Sequence, residues 1–353
     1  MKKYGRICDV MNPETYDDLL EIAMRVYWRD VKNKSFLITG GAGFIAYYIA
    51  TAILLVNDLY QNNNRVILMI RDVEKARAKY GVLLEREDLT LLCQDVCEEI
   101  VYERCDYIVH AAGGAETRLF EATPVDVFSA NALGTQRILD FATNTGAESV
   151  VYVSSFTVYG QTKGKTRIFE TDIGTLDWND YKNCYANGKR AGEMLCACYK
   201  HQYGTPVRIV RPGFVYGASR KTDSRVYAEI IRNVVNSEEI CLQTAGLVYR
   251  SMCYVTDVVR GILTVLFGGE NGRAYNVATE FLSIREFAFA ANNVNKKSKV
   301  VFLNPDDESV EVSISRGGIM DCSAIAQLTP EWGPKVSVIQ GIRMAAAAMR
   351  EIR

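Results

Sequence analysis

The sequence is poor in the residues that build metal centres and disulfide frameworks. Only two histidines, His110 and His201, occur among 353 residues, and the ten cysteines include no CxxC pair. Two histidines so far apart exclude a multi-histidine metal site and argue against a Ser-His-Asp triad. Scattered cysteines are typical of reduced thiols in a cytosolic protein. We therefore expect no metal, no disulfide and a cytoplasmic location.

Long apolar runs and an excess of charge are also missing. The longest apolar stretch, 45–56, falls short of the roughly 18 residues of a membrane span and contains tyrosines, so it is typical of a buried helix. The basic N-terminal residues are not followed by an apolar segment, and no signal peptide is expected. A net charge of −1 argues against nucleic acid as a partner. We expect neither a membrane nor a nucleic-acid partner.

From Ser35 onward, short apolar strands alternate with helices. Strands are predicted at 35–40, 66–71, 89–95, 105–113, 149–155 and 207–213, and helices at 45–59, 72–81, 125–146 and 183–203. Apolar strands separated by helices are typical of a parallel sheet covered on both faces. The pattern predicts an α/β fold with a doubly wound parallel sheet.

The first predicted strand leads into a glycine-rich turn, TGGAGFIA. Gly40 permits a sharp turn, Gly43 lets the backbone approach a pyrophosphate, and Ala46 lets the helix pack on the strand. The helix start at Phe44 and Ile45 presents free amides to phosphate groups. Because this turn lies between a strand and a helix, it predicts a dinucleotide-binding Rossmann domain.

The residues that follow the second and third strands bear on the identity of the cofactor. Arg71 favours the 2′-phosphate of NADP, whereas Asp72 beside it can hold the 2′-hydroxyl of NAD. Asp95 and Val96 are placed to meet the adenine edge. These residues predict a nicotinamide cofactor and leave NAD and NADP open.

Three segments are predicted along the chain. Residues 14–29 have apolar residues at helical spacing and form an N-terminal helix ahead of the main fold. After Gly213 the pattern becomes less regular, with helices at 225–236, 257–267, 284–293 and 336–350 between short strands. We predict an N-terminal helical extension (1–33), an NAD(P)-binding Rossmann domain (34–213) and a smaller mixed α/β C-terminal substrate lobe (214–353), parts of which return to the Rossmann domain.

A tyrosine and a lysine stand four residues apart in YANGK, within a predicted helix. One helical turn places Tyr185 and Lys189 on one face. A neighbouring ammonium favours the phenolate of a tyrosine, whose ordinary pKa is about 10. Ser155 ends the fifth strand, at the sheet edge where ligands collect, and its hydroxyl would share the reacting oxygen. Ser155, Tyr185 and Lys189 are the predicted catalytic set, with Tyr185 as the base.

Eight motifs together resemble the extended short-chain dehydrogenase/reductases that act on nucleotide sugars, a group of epimerases, dehydratases and decarboxylases. The motifs are TGGAGFIA, QDV (94–96), HAAG (110–113), NALGT (131–135), SSFTVYG (154–160), YANGK, RPGFVYG (211–217) and YVTDVV (254–259). The UDP-glucuronate decarboxylase-like branch is the most similar, because Cys184 precedes Tyr185 and the PEWGPKVSVIQGI segment (330–342) resembles its ending. The resemblance implies NAD, with NADP possible, and a nucleotide-sugar substrate. It also implies cofactor contacts at Ala111, Ala112, Gly113, Asn131, Pro212 and Val215.

Departures from the family pattern bear on the reaction. Phe156 and Thr157 follow Ser155, where the dehydratases carry an Asp-Glu pair and the decarboxylases carry a glutamate two positions on. Without a carboxylate there, the acid–base partner for elimination is missing. Phe214 replaces an asparagine that holds the substrate diphosphate in many relatives. Arg225 and Arg250 match substrate-side arginines and suit a phosphorylated anion; Ser155 and Thr157 complete the predicted substrate contacts.

We therefore expect an NAD(P)-dependent epimerase that acts on a nucleotide-activated sugar through a transient keto intermediate. The alternatives are an NADPH-dependent keto-sugar reductase, a nucleotide-sugar decarboxylase and, least favoured, a non-enzymatic cofactor-binding protein. The resemblance also implies a homodimer through segments 125–145 and 183–203. In the second segment Ala191, Leu195 and Cys198 form a stripe away from the Tyr185 face.

Overall fold

A parallel sheet forms the centre of the computed structural model, which describes residues 5–28, 30–162, 164–219, 223, 225–305, 318–329 and 332–351. We number the strands in chain order: β1 (Ser35–Thr39), β2 (Arg65–Ile70), β3 (Leu89–Cys93), β4 (Tyr107–His110), β5 (Ser149–Val153), β6 (Arg167–Ile168), β7 (Val207–Pro212), β8 (Phe214–Tyr216), β9 (Ile240–Thr244), β10 (Tyr249–Tyr254), β11 (Ala274–Val277), β12 (Glu280–Ser283), β13 (Val300–Asn304) and β14 (Ile319–Met320). Seven strands pair in the order β3-β2-β1-β4-β5-β7-β11, all parallel. The predicted doubly wound α/β sheet is confirmed, and its direction of winding reverses between β1 and β4.

Helices cover both faces of this sheet. They are α1 (Ile7–Val10), α2 (Pro13–Arg25), α3 (Phe44–Tyr60), α4 (Val73–Tyr80), α5 (Thr117–Ala122), α6 (Pro124–Asn131), α7 (Leu133–Thr145), α8 (Cys184–Tyr203), α9 (Val226–Asn236), α10 (Val255–Gly268), α11 (Ile284–Val294), α12 (Ser323–Ala326) and α13 (Val338–Glu351). Alternate side chains of β1 enter different cores. Phe36 and Ile38 pack in the core that holds α3 and α10, and Leu37 packs in the core that holds α7 and α8.

The remaining strands form small sheets in the C-terminal region. β8, β10 and β12 make a three-stranded sheet, while β9 pairs with β13 and β6 with β14. β11 and α10 instead lie with the main sheet, because β11 extends it beside β7 and α10 packs against β5 and β7. In the described ranges, none of the helices is both long and apolar enough to cross a membrane.

One predicted strand is shorter than its sequence pattern, and one strand of the sheet was not predicted. The fourth strand, predicted at 105–113, covers only Tyr107–His110. The reason is that the amides of Ala111 and Ala112 turn to the Thr39 hydroxyl oxygen, at 3.1 and 3.0 Å, and leave the ladder. The seventh strand, β11, was missed because four residues in an irregular region carry no periodic signal.

The long helix predicted at 125–146 is broken at Ala132, where the backbone turns to φ −101° and ψ −71°. The carbonyl of Asn131 accepts the Thr135 hydroxyl at 2.6 Å and lies 3.5 Å from the Tyr152 hydroxyl. Side-chain donors of this kind compete with the helical ladder and bend it. The break places Asn131 at the end of α6.

The N-terminal helix was predicted at 14–29 but ends at Arg25. Val26 has extended backbone dihedrals (φ −91°, ψ 142°), so the helical spacing stops there. As a result Tyr27 is 64% exposed, although it lay on the predicted apolar face, and Trp28 is buried instead. Arg29, the last residue of the prediction, lies outside the described residues, as do Pro330 and Glu331 of the PEWGPKVSVIQGI segment.

The helix α2 packs on α3, α10 and α13 and brings a buried carboxyl group with it. Asp18 accepts a hydrogen bond from the Tyr254 hydroxyl at 2.8 Å. Burial raises the pKa of Asp18 to about 7, against the hydrogen bonds from Tyr254 and Tyr48 that lower it. The carboxyl group is therefore protonated in the folded protein at mildly acidic pH.

Replacing Asp18 with asparagine is expected to change the pH dependence of stability. The unfolded carboxyl ionises near pH 4 and the folded one near pH 7, so the wild-type free energy of unfolding falls as pH rises through this window. Asp18→Asn removes the titration and should gain on the order of 4 kcal/mol over wild type at pH 8, because the two pKa values differ by about three units. Urea unfolding at pH 5 and pH 8 measures this, with the exposed neighbour variant Asp17→Asn as control. An Asp18→Asn slope equal to that of wild type would contradict the prediction.

Candidate active site

The turn after β1 has the geometry that a dinucleotide requires. Gly40 has φ +64°, and a Cβ there would lie 3.0 Å from the Ala111 carbonyl oxygen. A Cβ on Gly43 would lie 2.8 Å from the Gly40 carbonyl oxygen. Gly43 precedes α3 without a side-chain cap, so the first-turn amides from Phe44 and Ile45 keep their donors for a ligand. The turn therefore fits a pyrophosphate on its backbone.

The residues predicted to lie near the adenosine contact other residues of the protein. Arg71 pairs with Asp95, with 3.4 Å between Nη1 and Oδ2. Asp72 caps α4, because its carboxylate accepts the Lys75 amide at 3.0 Å. Val96 is buried in the core under the sheet. Asp72 is thus engaged by α4, and the guanidinium of Arg71 faces a carboxylate.

A buried amide faces the loop after β4. The Asn131 side-chain nitrogen donates to the Val127 carbonyl at 2.7 Å. Its Oδ1 has no hydrogen-bond partner in the part of the chain that the structure describes. A Cβ on Gly113 would lie 2.5 Å from this oxygen, so only glycine fits there. A buried acceptor left open beside Ala111–Gly113 is consistent with a bound cofactor.

Two further predicted cofactor contacts lie at the C-terminal end of β7 and just beyond it. Pro212 is the last residue of β7 and is buried. Val215 lies in β8, and its carbonyl accepts the Arg225 guanidinium at 3.4 Å. Both residues therefore lie near the end of a central strand, as the position of a nicotinamide site requires.

The structure brings the three predicted catalytic residues together. Ser155 follows β5, and its hydroxyl accepts from the amide and hydroxyl of Thr157 at 3.2 and 3.0 Å. The Ser155 side chain also lies close enough to the Tyr185 phenol to lower its pKa. Lys189 donates to the Val153 carbonyl at 2.7 Å, and its ammonium lies 5.8 Å from the centre of the Tyr185 ring.

Burial dominates the electrostatics of this set. Desolvation raises the pKa of Tyr185, while the Ser155 hydrogen bond and the Arg225 charge lower it. Desolvation lowers the pKa of Lys189 to about 7, against the Glu193 charge that raises it. The sequence predicted that Lys189 lowers the pKa of Tyr185. In the structure, removal of both groups from water is the larger effect.

The predicted substrate arginines lie on two sides of the site. The Arg225 guanidinium pairs with Asp223 at 2.6 Å and lies 5.2 Å from the Phe44 ring centre. Arg250 donates to the Tyr249 carbonyl at 2.8 Å, and its guanidinium lies 5.5 Å from the Phe214 ring. The Phe44 contact of Arg225 places it beside the turn after β1, and its charge lowers the pKa of Tyr185.

A cavity of about 40 Å³ lies between Arg250 and Thr157, the hydrogen-bond partner of Ser155. Its lining combines rings and small side chains with the Arg250 guanidinium: Phe156, Thr157, Ile168, Tyr249, Arg250 and Met320 are among its residues. A space of this size admits a few waters or a small substituent. The predicted substrate contacts Thr157 and Arg250 therefore line the same cavity.

Sequence reasoning missed two kinds of contact. The Phe120 ring stacks on Tyr185, with centroids 5.4 Å apart and planes inclined by 13°. Nothing in its short helix α5 signals this. Glu193 forms a buried ion pair with Arg211. The position of Glu193, four residues after Lys189, is a signal that the sequence does carry.

Comparisons with known proteins identify the family of the chain. The sequence profile of the NAD dependent epimerase/dehydratase family matches residues 36–278. UDP-glucuronic acid decarboxylase 6 of Arabidopsis thaliana is 29% identical over 317 residues, 88% of this chain and 87% of that protein. Human dTDP-D-glucose 4,6-dehydratase is 30% identical over 259 residues, 70% of each chain.

The fold has close structural counterparts as well. Bacillus cereus UDP-glucuronic acid 4-epimerase, solved with UDP-glucuronic acid and NAD, superposes with a TM-score of 0.73 at 19% identity, over 90% of this chain and 100% of that one. That likeness concerns the fold, whereas the family profile spans both the phosphate-binding turn and the Ser155–Tyr185–Lys189 set. The chain belongs to the NAD dependent epimerase/dehydratase family, as an enzyme of the extended short-chain dehydrogenase/reductase class with NAD as its cofactor.

Proposed function

We propose that the protein is a nucleotide-sugar epimerase, which inverts one carbinol centre through a transient ketone. The two residues after Ser155 carry this proposal. The Phe156 ring packs on Phe214 at 4.5 Å, and the Thr157 hydroxyl donates to Ser155. A ring and a hydroxyl thus stand where elimination or decarboxylation calls for a carboxylate. Oxidation followed by reduction on the other face needs no such group.

Tyr185 and Ser155 have different roles in proton transfer. Tyr185 accepts the proton of the sugar hydroxyl, and Ser155 hydrogen-bonds to the same oxygen. When bound, NAD supplies a reversible acceptor for the hydride of the carbinol carbon. After the ketone has turned in the site, Tyr185 returns its proton to the oxygen, so the cycle consumes neither proton nor cofactor. Phe120 covers one face of the base and limits access of water to it.

Decarboxylation is the second candidate, because the similarity to UDP-glucuronic acid decarboxylase 6 extends over 88% of the chain. Arg250, which lines the cavity beside Ser155, supplies a cation that suits a sugar carboxylate. This candidate calls for a substrate with a carboxyl group, whereas epimerisation does not. The two are therefore separable by product mass.

One incubation tests the proposal. The purified protein is mixed with UDP- and dTDP-hexoses and with UDP-glucuronate in deuterated water, without added cofactor, and products are followed by mass spectrometry and NMR. We expect a product of unchanged mass, inverted at one centre and free of carbon-bound deuterium. Loss of carbon dioxide would show decarboxylation, and loss of water with deuterium on carbon would show dehydration. Either of these as the sole product overturns the epimerase proposal.

A homodimer through α6 and α8 is part of the same proposal. The two helices pack together, and each carries an exposed apolar side chain: Met194 on α8 is 65% exposed and Phe128 on α6 is 41% exposed. Leu195 is partly buried against the inner core, so its replacement would perturb folding. Met194→Asp is therefore the sharper variant. We expect a dimer for wild type and a monomer for Met194→Asp by light scattering.

The matched control for the dimer is Met24→Asp. Met24 is 66% exposed on α2, away from α6 and α8. This variant should remain dimeric because the substitution is chemically the same but lies outside the proposed interface. A wild-type protein that is monomeric at micromolar concentration would rule the dimer out.

A further inference from the structure

The helix α8 holds two successive residues at the end of β5. Lys189 donates to the Val153 carbonyl at 2.7 Å. One turn later, the Glu193 carboxylate accepts a hydrogen bond from the Ser154 hydroxyl at 2.5 Å. Ser155 is the next residue of the chain. The helix that carries Tyr185 is therefore tied to the strand that delivers Ser155 at two adjacent points.

The Glu193 carboxylate is fixed from a second strand as well. Arg211 of β7 donates to both of its oxygens, at 2.9 and 2.6 Å. The two side chains are only 13% and 12% exposed. Arg211 also donates to the Tyr159 hydroxyl at 3.0 Å and to the Glu170 carbonyl at 2.7 Å. Glu193 thus joins α8 to β5 and β7 at the same edge of the sheet.

Glu193 also differs in charge from the other titratable groups around Lys189. Titratable groups face Lys189 from three elements: Tyr185, Glu193 and Cys196 of α8, His110 of β4 and Tyr152 of β5. Burial lowers the pKa of His110 to about 3, helped by the Lys189 charge, so that ring is neutral. Burial raises the pKa of Tyr152, Tyr185 and Cys196, so these groups are neutral at pH 7. Of these groups, Glu193 supplies the negative charge.

The surroundings of Glu193 contain further charges. Arg211 pairs with it, and Arg190 of α8, Tyr159 and Glu170 face the same cluster. Arg190 donates to the carbonyls of Val158 and Gly174 and so has partners of its own.

We propose that Glu193 is a positioning residue for proton transfer at Tyr185. Through Ser154 it holds the Ser155 strand end against α8, and through its charge it favours the ammonium form of Lys189. The turnover part of the proposal rests on the proposed epimerase function; the charge part does not.

Lysine titration in the cofactor-free protein tests the charge directly. Protein labelled with carbon-13 at the lysine side chains is followed by NMR against pH, and Lys189→Met assigns the Lys189 signal. In Glu193→Gln we expect the Lys189 midpoint to fall by about one pH unit, because an opposite charge is lost. Ser154→Ala removes only the tether, so its midpoint should match wild type.

Turnover tests the positioning. In Ser154→Ala we expect kcat to fall about fivefold, with KM and the pH profile unchanged, because one hydrogen bond to the Glu193 carboxylate is lost while its charge remains. In Glu193→Gln we expect a larger loss, about tenfold at pH 7, with the acid limb of the kcat profile moved to higher pH. A neutral Lys189 favours the Tyr185 phenolate less, which gives the direction of that move.

A double variant separates this role from a purely structural one. Glu193→Gln leaves the Arg211 charge buried without its partner and lowers the melting temperature. Adding Arg211→Met removes that charge and should restore most of the melting temperature, while the Lys189 midpoint stays low because the carboxylate is still missing. A double variant that restores the Lys189 midpoint would overturn the proposal.

Two other results bear on the outcome. A Glu193→Gln protein whose Lys189 midpoint and pH profile equal those of wild type would also overturn the proposal. A midpoint that moves as expected in a protein that turns over none of the sugars would support the charge part and leave only the epimerase assignment wrong.

Discussion

Replacing Tyr185 with phenylalanine is expected to lower turnover by about a thousandfold while leaving NAD binding intact. The ring itself remains, so its stacking on Phe120 and the nearby Lys189 ammonium are retained. The lost oxygen is the group whose pKa Ser155 lowers and that we assign as the proton acceptor. Ser155 keeps Thr157 as a partner, so the variant should fold normally.

Two measurements check this expectation. Turnover is measured with the substrate that the incubation above identifies, and NAD affinity by titration calorimetry on cofactor-free protein. Tyr181→Phe is the matched control, because Tyr181 is an exposed residue just before α8 and loses the same oxygen. Turnover of Tyr185→Phe near that of wild type would remove Tyr185 from the role of base.

Replacing Asp257 with alanine is expected to cost about 3–5 kcal/mol of stability. Its carboxylate is almost fully buried in the first turn of α10 and pairs with the equally buried Arg260 at 2.8 Å. It also accepts the amides of Lys335 and Val336 at 3.1 and 3.2 Å. Alanine leaves a buried guanidinium and two amides without their acceptor.

Two companion variants divide this loss into its causes. Asp257→Asn keeps an oxygen for the amides but removes the charge, so it should lose less than alanine. Asp257→Ala with Arg260→Met removes the unpaired charge and should recover part of the loss. Urea unfolding gives the free energies, and an Asp257→Ala loss below about 1 kcal/mol would contradict the burial argument.

The elements that sequence predicts well are those specified by local spacing. The Gly40–Gly43 turn and the Tyr185–Lys189 pair each lie within a few consecutive residues. The position of Ser155 is predicted from the end of a strongly apolar strand. The contacts that sequence analysis does not predict join residues far apart in the chain. Phe120 meets Tyr185 across 65 positions of sequence, and Arg211 lies 18 positions from Glu193. No periodicity encodes which of many charges or rings will meet in space.

The residues predicted to lie near the adenosine ribose show the same limit. Arg71 alone favours a 2′-phosphate, but the structure pairs it with Asp95, which lies 24 positions further along the chain. Asp72 looks free in sequence, yet it caps α4. The Arg71–Asp95 contact forms only when β2 and β3 lie side by side, and the family assignment, not the local pattern, identifies the cofactor.

The N-terminal helix has a consequence for synthesis of the chain. The Asp18 carboxylate meets Tyr254 across 236 positions of sequence. At roughly 5–20 residues per second, the ribosome takes roughly 10–50 s to make that interval. During this time the apolar residues Leu19 and Ile22 of α2 lack the α10 surface that buries them. One of the first helices to emerge is thus among the last to complete its packing, because both α10 and α13 are translated long after it.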